Sequence, residues 1–471
     1  MPKLAAEETA RLHPAVSAFR IRASDLRHLL RLTLPIMASS MLTFLLTVVD
    51  LLFVGRLGTH ELAAAALANT VWNTVALPLQ GCASALDTLL SQAHGAGQHA
   101  AFQTWTQTGT LLILLLGIPF AAILLLAEPL LLAIREDEAV SASAGAFCRG
   151  LAWGVPPYLA FLSLAKHLQA QEVVLPLVAI AALANAANAA ANWWLIHRLG
   201  LGLAGAPLAT SLSRWAQLLL LLLYSAAARK RLAPPLPGCL PEPAPLPRLA
   251  ARFFSLGGPG ALMLALEAWA FDLSTLLAGY LGQTSLDAHV LLLNVCSFTF
   301  MSFPFAVGVA ASIRVGRALG GGDARGAAAA ARLSTCLVLL FMTALATAKL
   351  LARRQLGLLF TDDDEVVAAV AGIVAIAALF QISDGLQAAN AGVMRGMGRQ
   401  RLVAGLNLVG FWLIGLPLGA SLTFAARVGV AGLWWGLAAG LTCVAGFGAA
   451  VVLRTDWEAE ARRARLRVGA P

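Results

Sequence analysis

Twelve stretches of roughly twenty or more mostly apolar residues follow one another along the chain, at about 32–54, 62–90, 102–126, 140–163, 173–196, 202–226, 254–281, 286–311, 327–350, 366–392, 402–424 and 429–453. A helix rises about 1.5 Å per residue, so each stretch is long enough to cross a hydrocarbon core about 30 Å thick. Of the 471 residues 59% are hydrophobic and 12% are charged, about half the charged share of a soluble domain. A water-soluble fold of this length would have to cover its surface with Leu and Ala. The fold class expected is therefore an all-α membrane protein of twelve transmembrane helices, with the lipid bilayer as its surroundings. Pro35, Pro78, Pro156, Pro157, Pro176, Pro259, Pro304 and Pro417 fall within the stretches. Neighbouring helices can satisfy the backbone groups they free, so kinks are expected there.

The basic residues orient the bundle. The N-terminus, every second loop and the tail collect 24 of the 33 Lys and Arg residues, with Arg332 in the first turns of the ninth stretch included. The opposite loops hold seven: Arg56, Arg135, Arg198, Lys349, Arg353, Arg354 and Arg427. By the positive-inside rule both termini are expected in the cytoplasm, in the plasma membrane or an organelle membrane such as the vacuolar one. The same rule accounts for the net charge of +9, so nucleic acid is not an expected partner. No short apolar segment with a cleavage site precedes the first stretch, which is expected to serve as the targeting signal. The six cysteines (Cys82, Cys148, Cys239, Cys296, Cys336, Cys443) include no CxxC pair, and no HExxH or Ser-His-Asp pattern stands out. Gly320-Gly321-Gly322-Asp323 lacks the Lys-Ser/Thr of a phosphate loop. No metal, cofactor or enzymatic activity is expected.

The chain repeats itself. A shift of 224 residues lays Pro35 on Pro259, Gly55-Arg56-Leu57-Gly58 on Gly279-Tyr280-Leu281-Gly282, and Gly97 on Gly321; a shift of 227 lays Gly202-Leu203-Ala204-Gly205 on Gly429-Val430-Ala431-Gly432. Six stretches is an even number, so both halves enter the membrane from the same side, related by a pseudo-two-fold axis along the membrane normal. The expected units are an N-terminal segment 1–31, an N-lobe 32–228, a Pro-rich basic linker 229–252, a C-lobe 253–453 and a basic tail 454–471. Duplicated halves of this kind enclose a site near the midplane and rock against each other.

Acidic residues inside the stretches point to that site, because an ionised carboxylate at mid-depth costs on the order of 3 kcal/mol. Glu267 lies about 21 Å of helix before its stretch exits and Asp384 about 16 Å before Arg395. Asp50 is nearer an end, Asp272 lies about 140° round the helix from Glu267, and Asp87 reads as a helix-end residue. No Lys or Arg lies near the middle of the seventh, eighth or tenth stretches, so the partner expected for Glu267 and Asp384 is a proton or a metal cation such as Na⁺. Amides recur on single helix faces: Asn69 with Asn73, Asn185 with Asn188 and Asn192, and Gln381 and Gln387 with Asp384. They line a cavity or bind helix to helix. Trp269 and Phe271 flank Glu267 and suit an organic cation; Asn294 is a further candidate for the cavity.

Assembled, these segments resemble the multidrug and toxic compound extrusion family over about residues 32–453. The carrying segments are Val49-Asp50-Leu51-Leu52-Phe53-Val54-Gly55-Arg56-Leu57-Gly58, Glu61-Leu62-Ala63 and Ala85-Leu86-Asp87-Thr88-Leu89-Leu90-Ser91-Gln92-Ala93-His94-Gly95-Ala96-Gly97. In the second half they are Leu266-Glu267-Ala268-Trp269, Arg314-Val315-Gly316-Arg317-Ala318-Leu319-Gly320, Asp384-Gly385-Leu386-Gln387 and Gly392-Val393-Met394-Arg395-Gly396-Met397-Gly398-Arg399-Gln400. Their forms are more similar to the eukaryotic-type members, though Arg317 and three glycines stand where the family usually has Asn and an Ala-Gly. The resemblance implies an antiporter whose two six-helix lobes alternate between inward- and outward-open, exporting organic cations, drugs or metabolites against H⁺ or Na⁺ as a monomer. It implies Glu267 and Asp384 as coupling carboxylates in the C-lobe and Asp50 on the N-lobe side. A flippase of lipid-linked sugar from the same superfamily, or a non-coupled channel or receptor, is the alternative; the first calls for a cationic cavity and the second has no need of two unpaired acids at mid-depth.

Overall fold

The computed structural model describes residues 23–236, 246–358 and 360–468. Lys3, Arg11, Arg20, Arg22, Cys239 and the linker residues 237–245 lie outside them. The described residues form helices joined by short turns, with no strand among them. The first half runs through α1 (Ala23–Gly55), α2 (Thr59–Gly95), α3 (His99–Leu125), α4 (Glu138–Ala152), α5 (Val155–Ala170), α6 (Leu175–Trp193) and α7 (Gly205–Ala227). The second half runs through α8 (Leu246–Gly279), α9 (Gln283–Ser302), α10 (Pro304–Gly320), α11 (Ala324–Leu351), α12 (Asp364–Met397), α13 (Gln400–Asn407) and α14 (Val430–Leu453), and α15 (Trp457–Val468) follows. Helix α8 begins inside the expected linker and α1 inside the expected N-terminal segment, so both first crossings carry an extra turn or two of helix.

Among the described residues, eleven helices are long and apolar enough to cross a bilayer. The twelfth crossing is the pair α4 and α5, of 15 and 16 residues, broken at Trp153 and Gly154. Pro156 and Pro157 explain the break: neither has an N–H to continue the ladder of α4, and both suit the first turn of a new helix. The eighth crossing breaks the same way, where Phe303 leaves the helical region and Pro304 opens α10. Beyond α13 the chain winds as π-helix over Leu408–Gly415 and Ser421–Ala425, with Pro417 between them. Wider winding accommodates a ring that would strike the carbonyl four residues back. By contrast Pro35, Pro78 and Pro259 stay within continuous helices, and Pro176 sits in the first turn of α6.

The repeat holds at the level of helix ends. Helices α1 and α8 end, and α2 and α9 begin, 224 residues apart. Helices α3 and α11 begin 225 apart, and the left-handed turn glycine matching Gly97 (φ 68°) is Gly322 (φ 77°) rather than Gly321. The halves therefore differ by one inserted residue at this loop.

The two halves meet chiefly in the part of the molecule where α1 begins and α15 ends, called the terminal face below. Every residue of α2 from Gly81 to Ala93 is buried, as is every residue of α12 from Gln387 to Met397. A helix loses all its faces to neighbours only where it is surrounded. Small residues permit this closeness. A methyl group added at Gly81 would strike the carbonyl of Gly260 and the reverse, Gly95 faces the carbonyl of Arg317, and Gly320 faces that of Gln92. Since lipid tails are as apolar as Leu, such backbone approach and dispersion hold helices together where the hydrophobic effect does not.

Candidate functional site

A cavity of about 230 Å³ opens where α8, α9, α10 and α12 converge, with Leu77 and Gln80 of α2 closing one side. Its apolar wall includes Phe271, Phe300, Phe305 and Phe380. Phe271 meets Phe380 and Phe411 edge-on at 5.9 and 5.6 Å, which fixes the rings as a rigid surface. Its polar groups are few: Glu267, Asp384, Gln387, Arg395, Gln80 and Ser297. The Glu267 carboxylate accepts from Gln387 Nε2 at 3.1 Å and, through the same Oε2, from Asn407 Nδ2 at 3.4 Å. Asn407 is itself anchored to the Met263 carbonyl at 3.0 Å, and Trp412 Nε1 holds the Leu266 carbonyl at 2.9 Å. Thus the helix carrying the acid is fixed from outside the cavity while the acid faces into it. Asp384, one turn from Gln387 along α12, brings a second carboxylate to the same space.

Arg395 corrects the expectation that no cation stands near these acids. It is 8% exposed, lines the cavity, and its charge acts on Glu267 and on Asp87. A second basic residue, Lys349, is 6% exposed and donates from Nζ to Thr299 Oγ1 at 2.9 Å and to Gln381 Oε1. Read as a loop charge, it instead turns inward from the end of α11. Asp87 is likewise more than a helix end, because it is buried and paired with Lys166 at 2.8 Å.

Asp50 belongs to a separate polar cluster in the other half. Its Oδ1 accepts from Asn188 Nδ2 at 3.1 Å and Asn192 Nδ2 at 2.7 Å, and its Oδ2 accepts from the Thr210 hydroxyl. Asn185 completes the stripe by donating to the Leu42 carbonyl at 2.8 Å. These three amides bind α6 to α1, two of them through Asp50, and none lines the central cavity. Beside them Arg214 of α7 lies 3.7 Å over the Trp72 ring and 5.4 Å from Tyr158, with a buried Nη1 that has no hydrogen-bond partner. Gln80 Nε2 donates to Tyr158 Oη at 3.0 Å and so links this cluster to the cavity. Of the other expected cavity residues, Asn69 is half-buried and Asn73, Asn294 and Trp269 are exposed; none lines the described cavity, and Asp272 is exposed as its place on the helix requires.

The terminal side of the cavity is sealed by hydrogen bonds between the halves. Thr88 Oγ1 donates to the Arg395 carbonyl at 2.6 Å, Gln92 Nε2 to the Gly396 carbonyl at 2.9 Å, and Gln400 Nε2 to Thr88 Oγ1 at 2.8 Å. Arg467 of α15 bridges both halves, reaching Gln92 Oε1 at 2.9 Å and the Met397 carbonyl at 3.1 Å.

A duplicated membrane bundle of twelve crossings, closed on one face around an acidic, aromatic cavity, is the architecture of a carrier for small molecules. The family model MatE matches residues 35–194 and 259–420. "Multidrug and toxin extrusion protein 1" of Mus musculus is 33% identical over 448 residues, which are 94% of this chain and 77% of that protein. "Protein DETOXIFICATION 16" of Arabidopsis thaliana is 33% identical over 92% of this chain and 89% of its own length. The crystal structure of the eukaryotic MATE transporter AtDTX14 superposes with a TM-score of 0.87 at 30% identity, covering 94% of this chain and 99% of that one. The chain belongs to the MatE family of multidrug and toxin extrusion transporters, and is a multi-pass membrane transporter rather than an enzyme.

Proposed function

We propose that this protein is an antiporter that exports organic cations in exchange for H⁺, with Na⁺ as the alternative ion, by alternating access of its two lobes. The observation that carries the reading is the pairing of Glu267 and Asp384, from two different helices, in one small cavity walled by aromatic rings. Two carboxylates that share a desolvated space do not both ionise freely, so the site takes up cationic charge, either as protons or as substrate. Aromatic faces add cation–π attraction for a cationic substrate. Competition of substrate and coupling ion for the same acids is the chemical basis of exchange. On this reading both termini are cytoplasmic, and the closed terminal face is the inward one. Asp50 and its amides serve the N-lobe, and the protein works as a monomer.

The test is uptake of a fluorescent organic cation into proteoliposomes under an imposed pH gradient and, separately, a Na⁺ gradient. Substrate movement that follows either gradient and stops on its collapse supports antiport. Movement indifferent to both overturns it in favour of an uncoupled pathway.

A further inference from the structure

The buried ammonium of Lys349 has no role in the account so far. Its two acceptors, Thr299 Oγ1 and Gln381 Oε1, are neutral, and among the described residues no carboxylate lies within ion-pair distance of it. An unpaired buried ammonium is costly and is retained only where a compensating interaction exists in some state of the protein. Its surroundings indicate which. Thr299 lies three residues after Cys296, and Gln381 three before Asp384; Cys296 and Asp384 both line the cavity. Residues three apart share a helix face, so the ammonium sits directly behind the cavity wall, one turn of α12 from Asp384. The ionisable groups acting on it are Cys296 from α9 and Asp384 from α12, and Glu267 from α8 acts on Asp384 across the cavity. Four methylenes allow the compact ammonium to sweep from one oxygen to another without movement of the backbone.

We propose that Lys349 is a tethered counter-cation for Asp384 that selects H⁺ over Na⁺ as the coupling ion. When Asp384 releases its proton to water in the cavity, the ammonium leaves Gln381 Oε1 and turns to the freed carboxylate, keeping its own three protons. It then occupies the position a sodium ion would take, at an effective concentration no dissolved ion matches. The unloaded carrier can return with this charge satisfied, and a proton arriving at Asp384 sends the ammonium back to Gln381. This rests on the reading of Asp384 as a coupling group.

The experiment compares wild type with Lys349→Met, of similar length and no charge, in proteoliposomes with a fluorescent organic cation, and measures substrate binding in detergent as a check on folding. Wild type is expected to follow the pH gradient and ignore Na⁺. Lys349→Met is expected to retain substrate binding, to lose about tenfold in pH-driven turnover, and to recover turnover when Na⁺ is supplied. Lys349→Arg, which keeps the charge, should remain indifferent to Na⁺. In an Asp384→Asn background, Lys349→Met should change nothing further. If Lys349→Met does not reach the membrane, Lys349→Gln, which retains hydrogen bonds to Thr299 and Gln381, takes its place. A Lys349→Met protein with the rate and Na⁺ indifference of wild type overturns the proposal and leaves antiport standing. So does a wild type already driven by Na⁺. A wild type driven by neither gradient instead overturns the antiport reading beneath it.

Discussion

Replacing Glu267 by Gln removes an ionisable oxygen while preserving the shape that Gln387 and Asn407 hold. Glu267→Gln should therefore reach the membrane in normal amount yet lose gradient-driven efflux by about a hundredfold or more, the usual yield of a positioned proton-transfer group. A pH-jump efflux assay with wild-type rates would reduce Glu267 to a hydrogen-bonding role. Asp384→Asn should lose less, because two acids in one space titrate as a pair and one partly covers for the other. At the buried ion pair, Lys166→Met takes the direct partner from Asp87, leaving only the charge of Arg395 to act on it, and should cost about 3 kcal/mol of stability, most of it recovered in the double variant with Asp87→Asn; thermal unfolding in detergent measures both. Glu267, Asp384 and Gln387 were legible in the sequence because a polar or ionisable side chain in an apolar run is itself a cost that needs a reason, and Phe271 because it is an aromatic one helical turn from Glu267. Lys349 and Arg395 were not. Each stands at the edge of an apolar run, where a loop charge and an inward-turned charge look alike; only helix rotation and neighbouring surfaces tell them apart.

Among elements, the joint between α2 and α8, where Gly81 and Gly260 meet main chain to main chain, is part of the closed terminal face. Gly81→Leu or Gly260→Leu should force the helices apart and drive the population toward opening at the terminal face. Cysteine accessibility near Thr88 would rise if so, and unchanged protection would mean the joint is not the seal. Conversely, joining Thr88→Cys to Gln400→Cys, whose parent side chains are hydrogen-bonded at 2.8 Å, should arrest transport while binding from the opposite side persists. Helix count and repeat were readable from spacing, since apolar length and turn glycines are local properties. The division of the fourth crossing into α4 and α5 was visible only as Pro156 and Pro157. Whether a proline bends a crossing or ends it depends on which neighbours receive the freed carbonyls, which is not a local property.

For the molecule as a whole, helix α15 links the lobes across the terminal face. Arg467→Ala removes its two bridging hydrogen bonds and should shift the balance toward opening on that side, by a few-fold in accessibility of Ser91→Cys, whose parent hydroxyl bonds only within its own helix. Asp456, exposed just before α15, accepts the N–H groups of Ala459 and Glu458 at 3.0 Å each, and these bonds, that of Ala459 foremost, hold its carboxyl below the usual range. A lowered value means that the cap is intact above the ordinary carboxylate pKa and is lost only as pH falls through the lowered one. Docking of α15 should then be constant above about pH 5, so a pH profile of transport in the neutral range, measured with and without Asp456→Asn, should be the same in both proteins.

The glycine contacts between Gly81 and Gly260, Gly95 and Arg317, and Gly320 and Gln92 bring bare main chain against main chain inside the seal, beside the side-chain bonds of Thr88, Gln92, Gln400 and Arg467. Parting such surfaces frees few side-chain rotamers, so the entropy of opening comes chiefly from water reaching carbonyl oxygens already committed to their own helices. At such points no side chain can yield, so the halves meet like a machined joint, and one added methyl group is enough to hold the faces apart.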